Sequence, residues 1–237
     1  MIKSLVTNGC SYINFYASGG GHNDLAAHLG IANAHTLAES GSCNNRIIRT
    51  TLRDSYSTNE STLYIIGITF ITRYELPLIA GNAELDGKWK SFTTTAATVD
   101  STLVLDKHVQ LQDIKLYSEL WQKFTTLAVN DLAQNLQYQL LSMCDSLINR
   151  GHRCVIFNTA ESMLDYVPYN ALDLLRSRSE IINGLAWKSI PWQFSQGATW
   201  TKEDNGLPVE VRHVAPGQHK WLNQYLTNYI QEHKILE

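Results

Sequence analysis

Apolar positions along this chain fall into two spacings. Short runs rich in Ile, Val and Leu, closed by Gly, Asn or Ser, take turns with longer stretches in which Leu, Ile and aromatic residues recur every three or four positions. Residues 2–7 form the first run and predict a short strand ending at Gly9. Residues 13–22, with Gly19, Gly20 and Gly21, predict a loop, after which Asn23 or Asp24 caps a helix over Leu25–Leu29 that stops at Gly30. Residues 34–38 predict a second short strand. A turn over 39–45 follows, then a helix over 46–53 with apolar residues at 47, 48 and 52. Leu63–Phe70 gives the clearest strand signal, because an unbroken apolar, β-branched run suits a central strand covered on both faces.

Residues 72–110 keep no steady period and predict an insertion into a single domain spanning 1–237. Residues 111–150 contain neither Gly nor Pro and predict one long helix, or two broken near Asn130, ended by Gly151. A strand is expected over 154–157 and a helix over 169–182. Residues 185–208 are aromatic-rich and irregular, and a last helix starts at Pro216 with the stripe Leu222, Tyr225, Leu226, Tyr229 and Ile230. Strands alternating with helices predict an α/β fold, a three-layer α/β/α sandwich around a central, mostly parallel sheet. Ligands of such sheets bind beyond the carboxyl ends of the strands. Ser11, the turn at Gly41 and the stretch after Phe70 are therefore expected along one edge.

Composition narrows the function classes. With a net charge of −3 the chain has no basic field for nucleic acid. It has no stretch of 18 apolar residues, so no membrane span is expected, and the first apolar run is too short for a signal-peptide core. The cysteines at 10, 43, 144 and 154 form no CxxC pair. Reduced thiols in a cytoplasmic protein are expected, without a zinc site. Gly19–Gly21 lacks the Gly-Lys-Ser/Thr ending of a phosphate loop, and no cofactor is implied.

Chemistry enters through two motifs at opposite ends of the chain. Asn8, Gly9, Cys10 and Ser11 close the first strand, and about 200 residues later come Glu210 and His213, an acid-x-x-His pair. A serine hydroxyl needs an adjacent base to act as a nucleophile. His213 would supply that base, and Glu210 would orient the imidazole and stabilise its charged form. Turn-residue frequencies alone favour a plainer reading of Ser11, as a residue that ends a strand and caps the next turn. His219 falls on the buried stripe of the last helix and suits a packed core histidine. Its spacing from His213 does not fit a helical zinc pair.

These residues resemble the SGNH/GDSL hydrolases. Gly9-Cys10-Ser11 resembles their first block, which presents a serine nucleophile after the first strand. Gly41 with Asn44 and Arg46, in the form Gly-x-x-Asn-x-Arg-Ile, resembles the second block. His213 with Gly217 and His219 resembles the last block, in which a catalytic histidine precedes the terminal helix. The resemblance implies a serine esterase acting on a small-molecule or glycan ester through an acyl-enzyme. Its nucleophile would be Ser11, with His213 as base and Glu210 in the place usually held by aspartate. Its oxyanion would face the backbone N–H groups of Ser11 and Gly41 and a side-chain amide, for which Asn44 is a candidate beside its plainer role as a helix N-cap. The third block departs from the pattern: Thr69 stands where the family has an oxyanion-holding asparagine.

Arg73, just after the central strand, is open between binding a polar substrate group and pairing with Glu75. Arg46 is expected to pair with Glu39. Trp187, Trp192, Phe194 and Trp200 offer faces for a sugar or an acyl chain, although core packing is the commoner fate of such residues. Two other readings share the pattern: a weak or inactive relative that binds a glycan or protein, and a flavodoxin-like nucleotide binder.

Overall fold

The computed structural model describes residues 1–39, 42–69, 71, 73–77, 89–92, 111–159, 180–181 and 219–237. Among these residues five strands form one sheet: β1 (Ser4–Gly9), β2 (Asn33–Thr36), β3 (Thr62–Ile68), β6 (Arg153–Asn158) and β7 (Glu180–Ile181). Their spatial order is β2-β1-β3-β6-β7, and all four pairings are parallel. Strands β4 (Tyr74–Pro77) and β5 (Trp89–Phe92), inside the segment expected to be an insertion, form a separate antiparallel ladder.

Side chains alternate across the sheet, and each face is covered by helices. Val6, Tyr64, Ile66, Ile68 and Ile156 pack against α3 (Asn44–Ser57) and α4 (Leu111–Asn149), meeting Ile47, Leu140 and Met143. Leu5, Leu63, Ile65, Val155 and Phe157 pack against α1 (Ser11–Ser18), α2 (Gly21–Leu29) and α5 (His219–Glu232), meeting Ile13, Leu25, Leu222 and Leu226. The expected three-layer sandwich is therefore present. Each fully buried aliphatic side chain adds roughly 1.5–3 kcal/mol to this arrangement. β2 lies at the edge of the sheet and is polar and mostly exposed, which suits an edge strand.

Local chemistry explains where the expected elements shift. The loop expected from residue 13 is instead the helix α1, which starts at Ser11. Tertiary packing holds it. Ile13 lies over the glycine pair Gly9–Gly67 of the adjacent strands, where a Cβ on either glycine would come within 2.6 Å of Ile13 Cγ1. Helix α2 begins at Gly21 rather than after Asn23 or Asp24, and it ends where Gly30 takes a left-handed conformation (φ 69°). The Gly30 N–H caps the carbonyls of Ala26 and Ala27.

Helix α4 is interrupted at Ala128, where φ −117° and ψ 20° leave the helical region, close to the break expected near Asn130. Before the kink Leu120, Phe124 and Leu127 are 54, 50 and 88% exposed. After it Ala133, Leu140 and Met143 are fully buried, so the second half covers the sheet. Within the helix expected over 169–182, residues 180 and 181 form strand β7, and residues 169–179 and 182 lie outside the described residues. Among the described residues no helix is long and apolar enough to cross a membrane.

Candidate active site

The sheet order reverses direction between β1 and β3. The chain leaves β1 towards β2 on one side, and leaves β3 towards β6 on the other. Such a switch point opens a crevice outside the carboxyl ends of the two strands, where ligands of doubly wound sheets bind. Ser11 and Thr69 stand at this place, each two residues beyond the paired glycines Gly9 and Gly67.

Ser11 is the first residue of α1 and is 7% exposed. The Asn14 N–H reaches the Cys10 carbonyl at 3.0 Å and closes the first helical turn. The N–H groups of Ser11, Tyr12 and Ile13 therefore have no acceptor within the helix, and the positive end of its dipole lies at Ser11. Below it, Cys10 Sγ lies 3.4 Å from Thr159 Oγ1, and the Thr159 hydroxyl and N–H both donate to the Ile68 carbonyl, at 2.8 and 2.9 Å. The end of β6 thus braces both the serine turn and the end of β3.

The segment after β2 runs along the same edge. The Leu37 N–H donates to Thr7 O at 2.8 Å, and the Glu39 N–H to Gly9 O at 3.2 Å. Ser42 turns the chain back, its hydroxyl donating to Glu39 O at 2.7 Å. Arg46 ties the turn together through Leu37 O and Ser42 Oγ, both at 3.1 Å, and pairs with the Glu39 carboxylate as expected. Arg73 reaches the Ser42 carbonyl at 3.4 Å, so both arginines converge on this turn.

Asn44 is the first residue of α3, where Cys43 is the N-cap. Its carboxamide faces the backbone of Thr69: Oδ1 accepts the Thr69 N–H at 2.8 Å and Nδ2 donates to the Thr69 carbonyl at 2.9 Å. Thr69 is 1% exposed, and its hydroxyl has no hydrogen-bond partner among the described residues. Gly41, Glu210 and His213 lie outside the described residues, as do Trp187, Trp192, Phe194 and Trp200. The structure therefore brings Ser11, Asn44, Thr69 and Arg73 to one edge of the fold.

Two residues that hold this edge, Thr159 and Asn8, are given no role by the sequence motifs. Thr159 carries no sequence signal. Asn8 carries one: a carboxamide in a strand with the apolar pair Leu5-Val6 must find partners when buried. It is fully buried, and its Nδ2 faces three oxygens of α3, Ile47 O at 3.0 Å and Thr50 Oγ1 and Thr51 Oγ1 at 2.9 Å each, while its Oδ1 accepts the Gly9 N–H at 2.9 Å. Among the described residues no group of three or more His, Cys, Asp or Glu side chains gathers to hold a metal ion.

No family model matches the sequence, and no curated protein matches it. Solved structures do match. TesA superposes with a TM-score of 0.50 at 10% identity, over 97% of this chain and 99% of that one. A provisionally assigned acylhydrolase from Bacteroides fragilis NCTC 9343 superposes with a TM-score of 0.42 at 10% identity, over 97% of this chain and 85% of that one. At such identity a likeness speaks for fold alone. The parallel order β2-β1-β3-β6-β7, the helices on both of its faces and the serine at the β1 switch point give this chain an SGNH-hydrolase-like fold.

Proposed function

We propose that the protein is a serine esterase of the SGNH type that cleaves a small ester, with an O-acyl group on a carbohydrate as the favoured substrate, through an acyl-enzyme on Ser11. The observation that carries this reading is the position of Ser11, at the first turn of a helix that leaves the β1 end at the switch point. The likeness to TesA supports the fold on which this reading rests. In this reading His213 takes the Ser11 hydroxyl proton as the oxygen attacks the ester carbonyl. The resulting oxyanion faces the N–H groups of Ser11 and Gly41, on the positive end of α1. His213 then returns the proton to the leaving alkoxide, releasing the alcohol, and water repeats the sequence on the acyl-enzyme. Glu210 holds the other imidazole nitrogen and stabilises the imidazolium. Arg73, beside the Ser42 turn, is proposed to meet a polar group of the substrate.

The decisive experiment is turnover of p-nitrophenyl acetate by wild type and Ser11→Ala, with a fluorophosphonate probe in parallel. Activity and covalent labelling at Ser11 are expected in the wild type and absent from the variant. Retained turnover in Ser11→Ala would refute the assignment.

One observation favours a second reading, a weak or inactive member of this fold that binds a glycan or a protein partner. The Thr69 backbone is engaged by Asn44, and threonine brings no amide to the oxyanion. Loss of one such donor costs on the order of 100- to 1000-fold in rate. A wild type that binds but is never labelled at Ser11 would favour this second reading.

A further inference from the structure

We infer that Asn8 and Asn44 are positioning residues that set the distance between the Ser11 turn and the Thr69 segment by fastening both to one helix, α3. The inference rests on Ser11 being the nucleophile. Both carboxamides are buried, Asn8 fully and Asn44 to 4% exposure. A buried amide is costly unless each of its groups is satisfied, so its bonds define a narrow geometry.

Asn8 joins the end of β1 to the middle of α3. Its Nδ2 lies within 3.0 Å of Ile47 O, Thr50 Oγ1 and Thr51 Oγ1, and its Oδ1 holds the Gly9 N–H, two residues before Ser11. Asn44 joins the end of β3 to the first residue of the same helix by bonds to both the N–H and the carbonyl of Thr69. An α-helix is stiff and rises 1.5 Å per residue, so the two anchors stand at a fixed separation along one rigid element. The β1–β3 ladder alone ends at Gly9–Gly67, short of the two residues that matter. Beyond it, α3 is a common support, beside the Thr159 brace, that the Ser11 turn and Thr69 share through these two side chains. Neither asparagine needs to touch substrate for the effect. A shift of about 1 Å in a reacting group can cost on the order of 100-fold in rate.

Two variants separate positioning from simple folding. Asn44→Asp keeps an acceptor for the Thr69 N–H but, when ionised, loses the donor to the Thr69 carbonyl. Asn8→Val fills a strand position with a good strand former and removes the tether. The readouts are kcat and KM for p-nitrophenyl acetate between pH 5 and 8, with the folded fraction measured by near-UV circular dichroism. Each variant is expected to lower kcat about 10- to 100-fold while KM stays within about twofold. The ratio of Asn44→Asp to wild-type kcat should rise as the pH falls, because protonation restores a donor. Folded variants with wild-type kcat, a loss that tracks only the unfolded fraction, or a pH-independent ratio would overturn the inference while leaving the esterase reading intact. Should Asn44→Asp not fold, Asn8→Val decides by the same kcat criterion. A wild type that neither turns over nor is labelled at Ser11 removes the esterase reading, and the positioning role falls with it.

Discussion

Gly67→Ala adds a single methyl group at a close approach between α1 and the sheet. Its Cβ would stand 2.6 Å from both Ile13 Cγ1 and Thr159 Cγ2, with Ile13 Cδ1 at 2.9 Å. Non-bonded carbons settle at about 3.5–4.0 Å, so these neighbours must recede by roughly 1 Å. Neither can do so freely. Ile13 is 2% exposed, and Thr159 is held by two hydrogen bonds to the Ile68 carbonyl. Overpacking of this kind costs about 1–3 kcal/mol. For a chain of this length that is about 2–12 °C in melting temperature. Urea denaturation followed by circular dichroism gives the equilibrium value. The double variant Ile13→Ala/Gly67→Ala isolates the steric contact. Ile13→Ala alone should cost about 2–5 kcal/mol through the cavity it leaves. In the double variant the new methyl occupies part of that space, so the double should be more stable than the sum of the singles by about 1 kcal/mol or more. A Gly67→Ala protein with the wild-type midpoint, or a strictly additive double, would refute this account of how α1 is seated.

Other outcomes follow from polar contacts away from the serine. The Tyr16 hydroxyl sits between the Gly21 carbonyl and the Asn223 carboxamide, both within hydrogen-bond reach, and Asn223 is 1% exposed. Tyr16→Phe should therefore lose about 1–3 kcal/mol in the same urea assay, because it strands a buried amide. His35 is raised above the usual imidazole range, chiefly by its hydrogen bond to Asp54 at 3.2 Å. Burial alone would raise Asp54, but hydrogen bonds from His35 and Tyr64 outweigh it and hold the carboxyl below its usual range. The pair's contribution is fully present below the ordinary histidine value and fades as pH rises through the raised one. On the acid side it is lost only once Asp54 protonates. The stability gap between wild type and His35→Ala should accordingly be widest near pH 5 and narrow towards pH 9; a gap that widens with pH would contradict the assignment. Burial pushes His152 the other way, below the usual range, so the unfolded chain binds its proton more readily. A His152→Gln variant that still folds should show a flatter loss of stability between pH 7 and 5 than the wild type.

The strands that build the centre of the sheet were legible because their composition is one-sided. Leu63–Ile68 is buried throughout and reads as such in the sequence. Helix α1 was hidden for a different reason. Its sequence, with Tyr, Ile and Phe among its eight residues, has modest helix propensity, and it forms because Ile13 and Tyr16 find buried places on the sheet. β7 is two residues long and has no period to detect. At the site, the serine turn could be recognised from its place after β1. The true partners of Asn44 could not. An asparagine at a helix start suggests a cap, and only the fold brings Thr69, 25 residues away, against its side chain.

The Tyr16–Asn223 contact joins positions 207 residues apart, and its span bears on the order in which the protein is made. Strands β1, β2 and β3, with Ser11, Asn44 and Thr69, all lie within the first 69 residues. At about 5–20 residues per second, roughly 8–30 s separate the addition of Thr69 from that of Leu222. During that interval the face carrying Leu25, Leu63 and Ile65 waits for Leu222, Leu226 and Ile230 of α5 to cover it. A chain stalled on the ribosome before α5 would therefore present an adhesive apolar surface to chaperones. On the esterase reading, a chain stalled before His213 would also carry a nucleophile without its base.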